Sequence, residues 1–166
     1  PGSETINIAS AVKRLIVNVT RNWSKNSILW NYAADPQFDP HTDNGGCSMC
    51  QGAITIDGDK VTRNIAYYTI AHASKFIRPG SVRISSTDAF DPGVDITEDE
   101  ERAEIRRATV VEHSDVLPNV AFKTPEGKIV LVIANDSWSQ QTAKIQYNGR
   151  FANLHLAPGS VGTFIW

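Results

Sequence analysis

Apolar residues in this chain change their spacing along its length. Over residues 4–23, Ile8, Val12, Leu15, Ile16, Val19 and Trp23 recur at three and four, with Lys13, Arg14 and Asn18 off the stripe. That period predicts an amphipathic helix packed on a core. Residues 27–34 read Ser-Ile-Leu-Trp-Asn-Tyr-Ala-Ala, and Ile28, Leu29 and Trp30 run without alternation. Such a run predicts a strand covered on both faces. It stops at Asp35-Pro36, a breaker, and a polar loop rich in Pro and Gly follows as far as Cys50. Residues 52–64 alternate around Asp57-Gly58 and predict a β-hairpin. Residues 65–77 predict a second helix with Tyr68, His72 and Phe76 on one side, stopped by Arg78-Pro79-Gly80. His72 is expected to be a packing histidine.

From Ser81 onward the runs shorten and alternate. Val82 and Ile84, Ala121-Phe122, then residues 129–134, 143–147, 151–156 and 161–166 are separated by turn signals at Pro125-Glu126-Gly127, Asn148-Gly149 and Pro158-Gly159. Short strands at this spacing predict an antiparallel β-sandwich. Phe164 and Trp166 share a face and are expected to bury in its core. Residues 88–115 interrupt the series with Glu98, Asp99, Glu100, Glu101 and Glu104 against Arg102, Arg106 and Arg107. They read as an exposed acidic insertion. Their aspartates lack the regular spacing of a calcium loop. The pattern alone therefore gives a mixed fold: a helix–strand–helix unit over 4–80, then a sandwich over 81–166 with an insertion at 88–115.

Composition narrows the function classes. The chain has 166 residues, 41% of them hydrophobic, which is enough for one core. A net charge of −2 and a pI near 6.1 give no electrostatic case for nucleic acid. No apolar run approaches a membrane span, and the N-terminus has no signal-peptide pattern. Pro1-Gly2-Ser3 reads as a cloning remnant, so the first residue is expected to be a cloning or cleavage boundary. Cys47-x-x-Cys50 is open to three readings: a redox pair, half of a zinc site with His41 nearby, or a local bridge. A loop-bracing disulfide or two free thiols is favoured, because the pair does not open a helix. Asn18, Asn22 and Asn135 begin Asn-x-Ser/Thr sequons, and the first two lie in the predicted helix, which argues against acceptors.

Four segments carry a family resemblance, in order: residues 22–57, 67–84, 120–137 and 157–166. Together they resemble the C-terminal part of glycoside hydrolase family 30, in its glucosylceramidase-like and endo-β-1,6-glucanase-like branch. The resemblance implies a C-terminal remnant of a (β/α)8 barrel followed by the β-sandwich side domain. Residues 4–23 would be the seventh barrel helix, 27–34 the eighth strand and 65–77 the eighth helix. It also implies a retaining mechanism with two glutamates, both upstream of this chain. Glu4 lacks the motif context of the nucleophile. The segment alone is expected to be inactive.

By the same resemblance Trp30 would line the glucose subsite, since an indole offers a face to sugar C–H groups and an N–H to a hydroxyl. Asp35, His41 and Asn44 would belong to the substrate-facing loop. Tyr32-Ala33-Ala34 and Asp39-Pro40 depart from the family's usual residues there. The implied substrates are glucosylceramide or β-1,6-glucan, with no cofactor and no metal. The implied partner is the rest of the barrel, in the same protein or a companion chain. The implied location is secreted, periplasmic or lysosomal. A second class stays open, a non-catalytic β-sandwich module for carbohydrate binding or structure, and a third is a metal or redox protein built on Cys47 and Cys50.

Overall fold

The computed structural model describes residues 7–42, 44–87 and 117–166. The acidic insertion expected at 88–115, the start of the first helix and Asp43 lie outside them.

The first helix begins where Asn7 caps it, its side-chain oxygen accepting from the Ser10 backbone N–H at 2.8 Å. It runs as α1 (Ile8–Val12), a π-helical turn (Lys13–Val17) and α2 (Asn18–Arg21). The π turn holds an extra residue and so rotates the apolar stripe. Val12, Ile16 and Val17 are buried, whereas Leu15 and Val19 are only half-buried. Trp23 leaves the stripe altogether. It sits beyond the helix at φ 67°, 68% exposed, with the Arg83 guanidinium 4.5 Å from its ring centroid.

Helix and sheet share one core. Val12, Ile16 and Val17 pack with Val120, Phe122 and Val132, and Ile8, Ala73, Ile77 and Val161 close the rim. Beneath the helix lies a four-stranded antiparallel sheet of β4 (Val82–Ile84), β5 (Asn119–Lys123), β6 (Ile129–Ala134) and β9 (Val161–Ile165), in that order. β6 is buried along its whole length, as its unbroken Ile-Val-Leu-Val-Ile-Ala requires. β7 (Gln141–Tyr147) and β8 (Arg150–Leu156) form a separate antiparallel ribbon. Arg21 fixes the end of α2 to the sheet, donating from Nε to the Asn119 carbonyl at 2.7 Å and from Nη2 to the Ser86 carbonyl at 2.9 Å. The antiparallel strands are consistent with the expected sandwich.

The helix-strand-helix region is less regular than its pattern predicts. Only β1 (Ala33–Ala34) is strand where 27–34 was expected. Ile28 is 89% exposed, so the expected cover on both faces is absent among the described residues. An apolar run is buried only on those faces that another element reaches, and among the described residues none covers Ile28. β1 pairs in parallel with β2 (Ile54–Asp57), which pairs with β3 (Lys60–Arg63) as the expected hairpin. α3 (Ile65–Ser74) ends before the predicted 77. Phe164 is only half-buried, and the burial expected of Trp166 is overturned. Trp166 remains 42% exposed, its ring edge-on to Tyr147 at 5.7 Å between centroids, because it ends a strand facing the β7–β8 ribbon rather than the core.

Candidate functional site

The loop between β1 and β2 is held at both ends by backbone chemistry. The segment before it continues the β1 pairing: Ala53 N–H donates to the Asn31 carbonyl and Ile54 N–H to the Tyr32 carbonyl, each at 3.0 Å. Gly52 makes this approach possible. A Cβ there would lie 2.8 Å from Ala33 Cα and Ala34 N, inside van der Waals contact. Asn64 then locks the hairpin, donating from Nδ2 to the Gly52 carbonyl at 2.8 Å and to Thr55 Oγ1 at 2.9 Å.

Asp35 organises the start of the loop. Its Oδ1 accepts from the backbone N–H of Gln37 at 2.8 Å and of Asp39 at 2.9 Å, while its own N–H donates to the Asp39 carbonyl at 2.8 Å. This is an Asx-type turn, which breaker sequences favour. The Asp39-Pro40 peptide is cis, and so is Trp30-Asn31. His41 Nε2 stands 3.4 Å from Asp39 Oδ1, with the His41 side chain 21% exposed. Asn44 is exposed at the loop tip, beside Gly45 whose carbonyl accepts from Thr42 Oγ1 at 2.6 Å. Cys47 and Cys50 close the loop as a disulfide, which leaves Met49 displayed at 75% exposure.

Of the four residues expected to face a sugar, the structure gives two of them local partners. The Asp35 Oδ1 bonds and the His41–Asp39 pair hold the loop itself. Trp30 and Asn44 present open surface. Trp30 is 71% exposed and Tyr32, two residues on, is 77% exposed. Asn31 carries a signal that only coordinates provide. Its Oδ1 is buried and meets no donor among the described residues. His72, by contrast, is half-buried in packing. Its Nδ1 lies 2.9 Å from Thr163 Oγ1, and burial lowers its pKa below the usual 6.5.

Comparison with known proteins bears on this arrangement. Residues 106–164 match the model of the glycosyl hydrolase family 30 beta sandwich domain, a span holding β5 through β8 and most of β9. The chain thereby bears out its resemblance to the C-terminal part of that family. It is 36% identical over 70 residues to the endo-1,6-beta-D-glucanase neg1 of Aspergillus fumigatus, covering 42% of this chain and 14% of that protein. It is 34% identical over 70 residues to the endo-1,6-beta-D-glucanase BGN16.3 of Trichoderma harzianum, with the same coverage.

Among solved structures, likeness of fold extends over nearly the whole chain. The endo-beta1,6-glucanase BT3312 superposes with a TM-score of 0.71 at 24% identity, over 96% of this chain and 31% of that one. SrfJ from Salmonella typhimurium superposes with a TM-score of 0.69 at 22% identity, over 100% of this chain and 32% of that one. The chain thus spans about a third of those structures and a smaller share of the curated relatives it matches.

Proposed function

We propose that this chain is the C-terminal segment of a retaining β-glycosidase acting on β-1,6-glucan. It would supply one wall of the sugar subsite and neither catalytic glutamate. The observation that carries this reading is the Trp30 indole, 71% exposed immediately before a loop closed by a disulfide. An exposed indole on a braced segment suits the apolar face of a pyranose. The names of the curated relatives favour β-1,6-glucan over glucosylceramide as the substrate class. Residues 4–80 would then be the last helix, strand and helix of a (β/α)8 barrel, and 81–166 its side sandwich. The rest of the barrel would cover Ile28 and Leu29.

In this reading Asp35 holds the loop geometry, and Asn44 and Asn31 reach substrate or a barrel neighbour. The disulfide fits an oxidising compartment, secreted, periplasmic or lysosomal. It also replaces the zinc alternative for Cys47 and Cys50, since both sulfurs are bonded to each other.

The test is turnover of β-1,6-glucan by the protein with its upstream barrel present. Trp30→Ala is expected to lower kcat/KM by about 10- to 100-fold, with KM taking much of the change. The present chain alone is expected to show no turnover. Hydrolysis by the isolated chain, or an unchanged kcat/KM in Trp30→Ala, would overturn the assignment.

A further inference from the structure

The most exposed large apolar side chain among the described residues lies away from this loop. Trp138 is 93% exposed, on the turn joining β6 to β7. An indole held in water carries a hydrophobic cost that a mobile loop would relieve by folding it back. This turn is pinned. Asn135, fully buried at its base, donates from Nδ2 to the Ser139 carbonyl at 2.8 Å, and its Oδ1 accepts from Ser137 Oγ at 2.7 Å. Gln141 Nε2 reaches Ser139 Oγ at 2.9 Å. Asp136 is tied to Lys13 of the π turn at 2.7 Å. Trp138 is thus presented on a framework already ordered, which removes much of the entropic cost of binding through it.

The chemistry around the ring selects the ligand. Its neighbours along the turn are Ser137, Ser139 and Gln140, which are hydroxyls and an amide. The one carboxylate of the turn is neutralised by Lys13. At the end of the ribbon that the turn enters, exposed Thr142 and His155 pair across the strands, Oγ1 to Nδ1 at 3.1 Å. The buried core of a permanent protein interface is apolar, whereas the residues flanking the indole on this turn are polar. A neutral ligand with one C–H face and a rim of hydroxyls needs what is present: one aromatic plane among uncharged donors and acceptors.

We propose that the Trp138 turn is a second glycan-binding site, separate in sequence and element from the Trp30 loop, taking a β-glucan chain without cleaving it. The identity of the glycan rests on the functional reading above; the existence of the site does not. It would hold polymeric substrate on the side sandwich.

The experiment is affinity electrophoresis of this chain through gels containing soluble linear β-1,6-glucan. The wild-type chain is expected to be retarded. Trp138→Ala should weaken retention at least about tenfold, and Trp138→Phe should keep part of it. Circular dichroism is expected to show the Trp138 variants folded, since that side chain is 93% exposed. Equal retention of wild type and Trp138→Ala overturns the proposal, as does no retention of the wild type. Retention lost in Trp30→Ala alone overturns the second site and leaves the subsite reading standing. Failure of the glycosidase reading appears elsewhere, as absent turnover in the longer protein, whatever the gels show.

Discussion

At the scale of the residue, Asn135 shows how one side chain serves several strands. Its Nδ2 also donates to the carbonyls of Leu156 and Ala157, at 3.0 Å each, while its backbone N–H donates to the Ser160 carbonyl. The Asn-x-Ser sequon at this position is therefore a structural motif, with no room for a glycan on a fully buried amide. Asn135→Ala removes the donor from buried carbonyls and is expected to cost about 3 kcal/mol, or about 10 °C in Tm. Asn135→Asp keeps the acceptor and loses the donor, so thermal denaturation should show a comparable loss. His72 gives a pH prediction. Its folded pKa is depressed by burial, so the unfolded chain binds the proton more readily. Its contribution is present above pH 6.5 and is lost as pH falls through the lower folded value. Urea midpoints should drop across that window in wild type and drop less in His72→Gln.

At the scale of the element, the β1–β2 contact depends on backbone proximity at Gly52. Gly52→Ala places a methyl against Ala33 backbone that cannot swing aside, and is expected to destabilise the chain by about 1–3 kcal/mol. Amide exchange should accelerate first at Ala53 and Ile54, whose N–H groups donate across this contact. Elements like these were legible to different degrees. Residues 129–134 announce β6 because β-branched runs between turns have one good solution, and the hairpin at 52–64 follows from Asp57-Gly58. The first helix was legible as an element but not in phase. The π turn that buries Val17 and turns Trp23 out leaves no mark in apolar spacing. The Asp35 turn was legible as a breaker, while its two backbone acceptances were not. The burial of the Asn31 side-chain oxygen without a donor among the described residues, and the rigidity beneath Trp138, are properties of three-dimensional neighbours, and no local pattern encodes them.

At the scale of the whole molecule, the described surface is uneven. Ile28, Trp30, Tyr32 and Met49, before and within the loop that follows β1, are each at least 71% exposed. Beyond it, Ile56 and Val61 face each other across the hairpin, also exposed. Apolar surface of this kind favours association. The chain is expected to self-associate at micromolar concentration in sedimentation velocity runs. Ile28→Ser with Tyr32→Ser should shift it towards the monomer, and a wild-type monomer at all loadings would contradict this. Among the described residues no helix is long and apolar enough to cross a membrane, so this surface is not a helical span.

β6 also has a history in time. Its six residues need β5 on one side and β9 on the other, and β9 begins at Val161, well after β6 ends at Ala134. During synthesis the Ile-Val-Leu-Val-Ile-Ala segment leaves the ribosome with one edge still open, while the β7–β8 ribbon is being made. It is an uncharged, β-prone stretch of the kind that seeds intermolecular sheets. Lys128 on one flank and Asp136 on the other act as its gatekeepers through that interval. Slow translation between Gln141 and Gly159 would lengthen the exposure, and with it the share of nascent chains that need a chaperone.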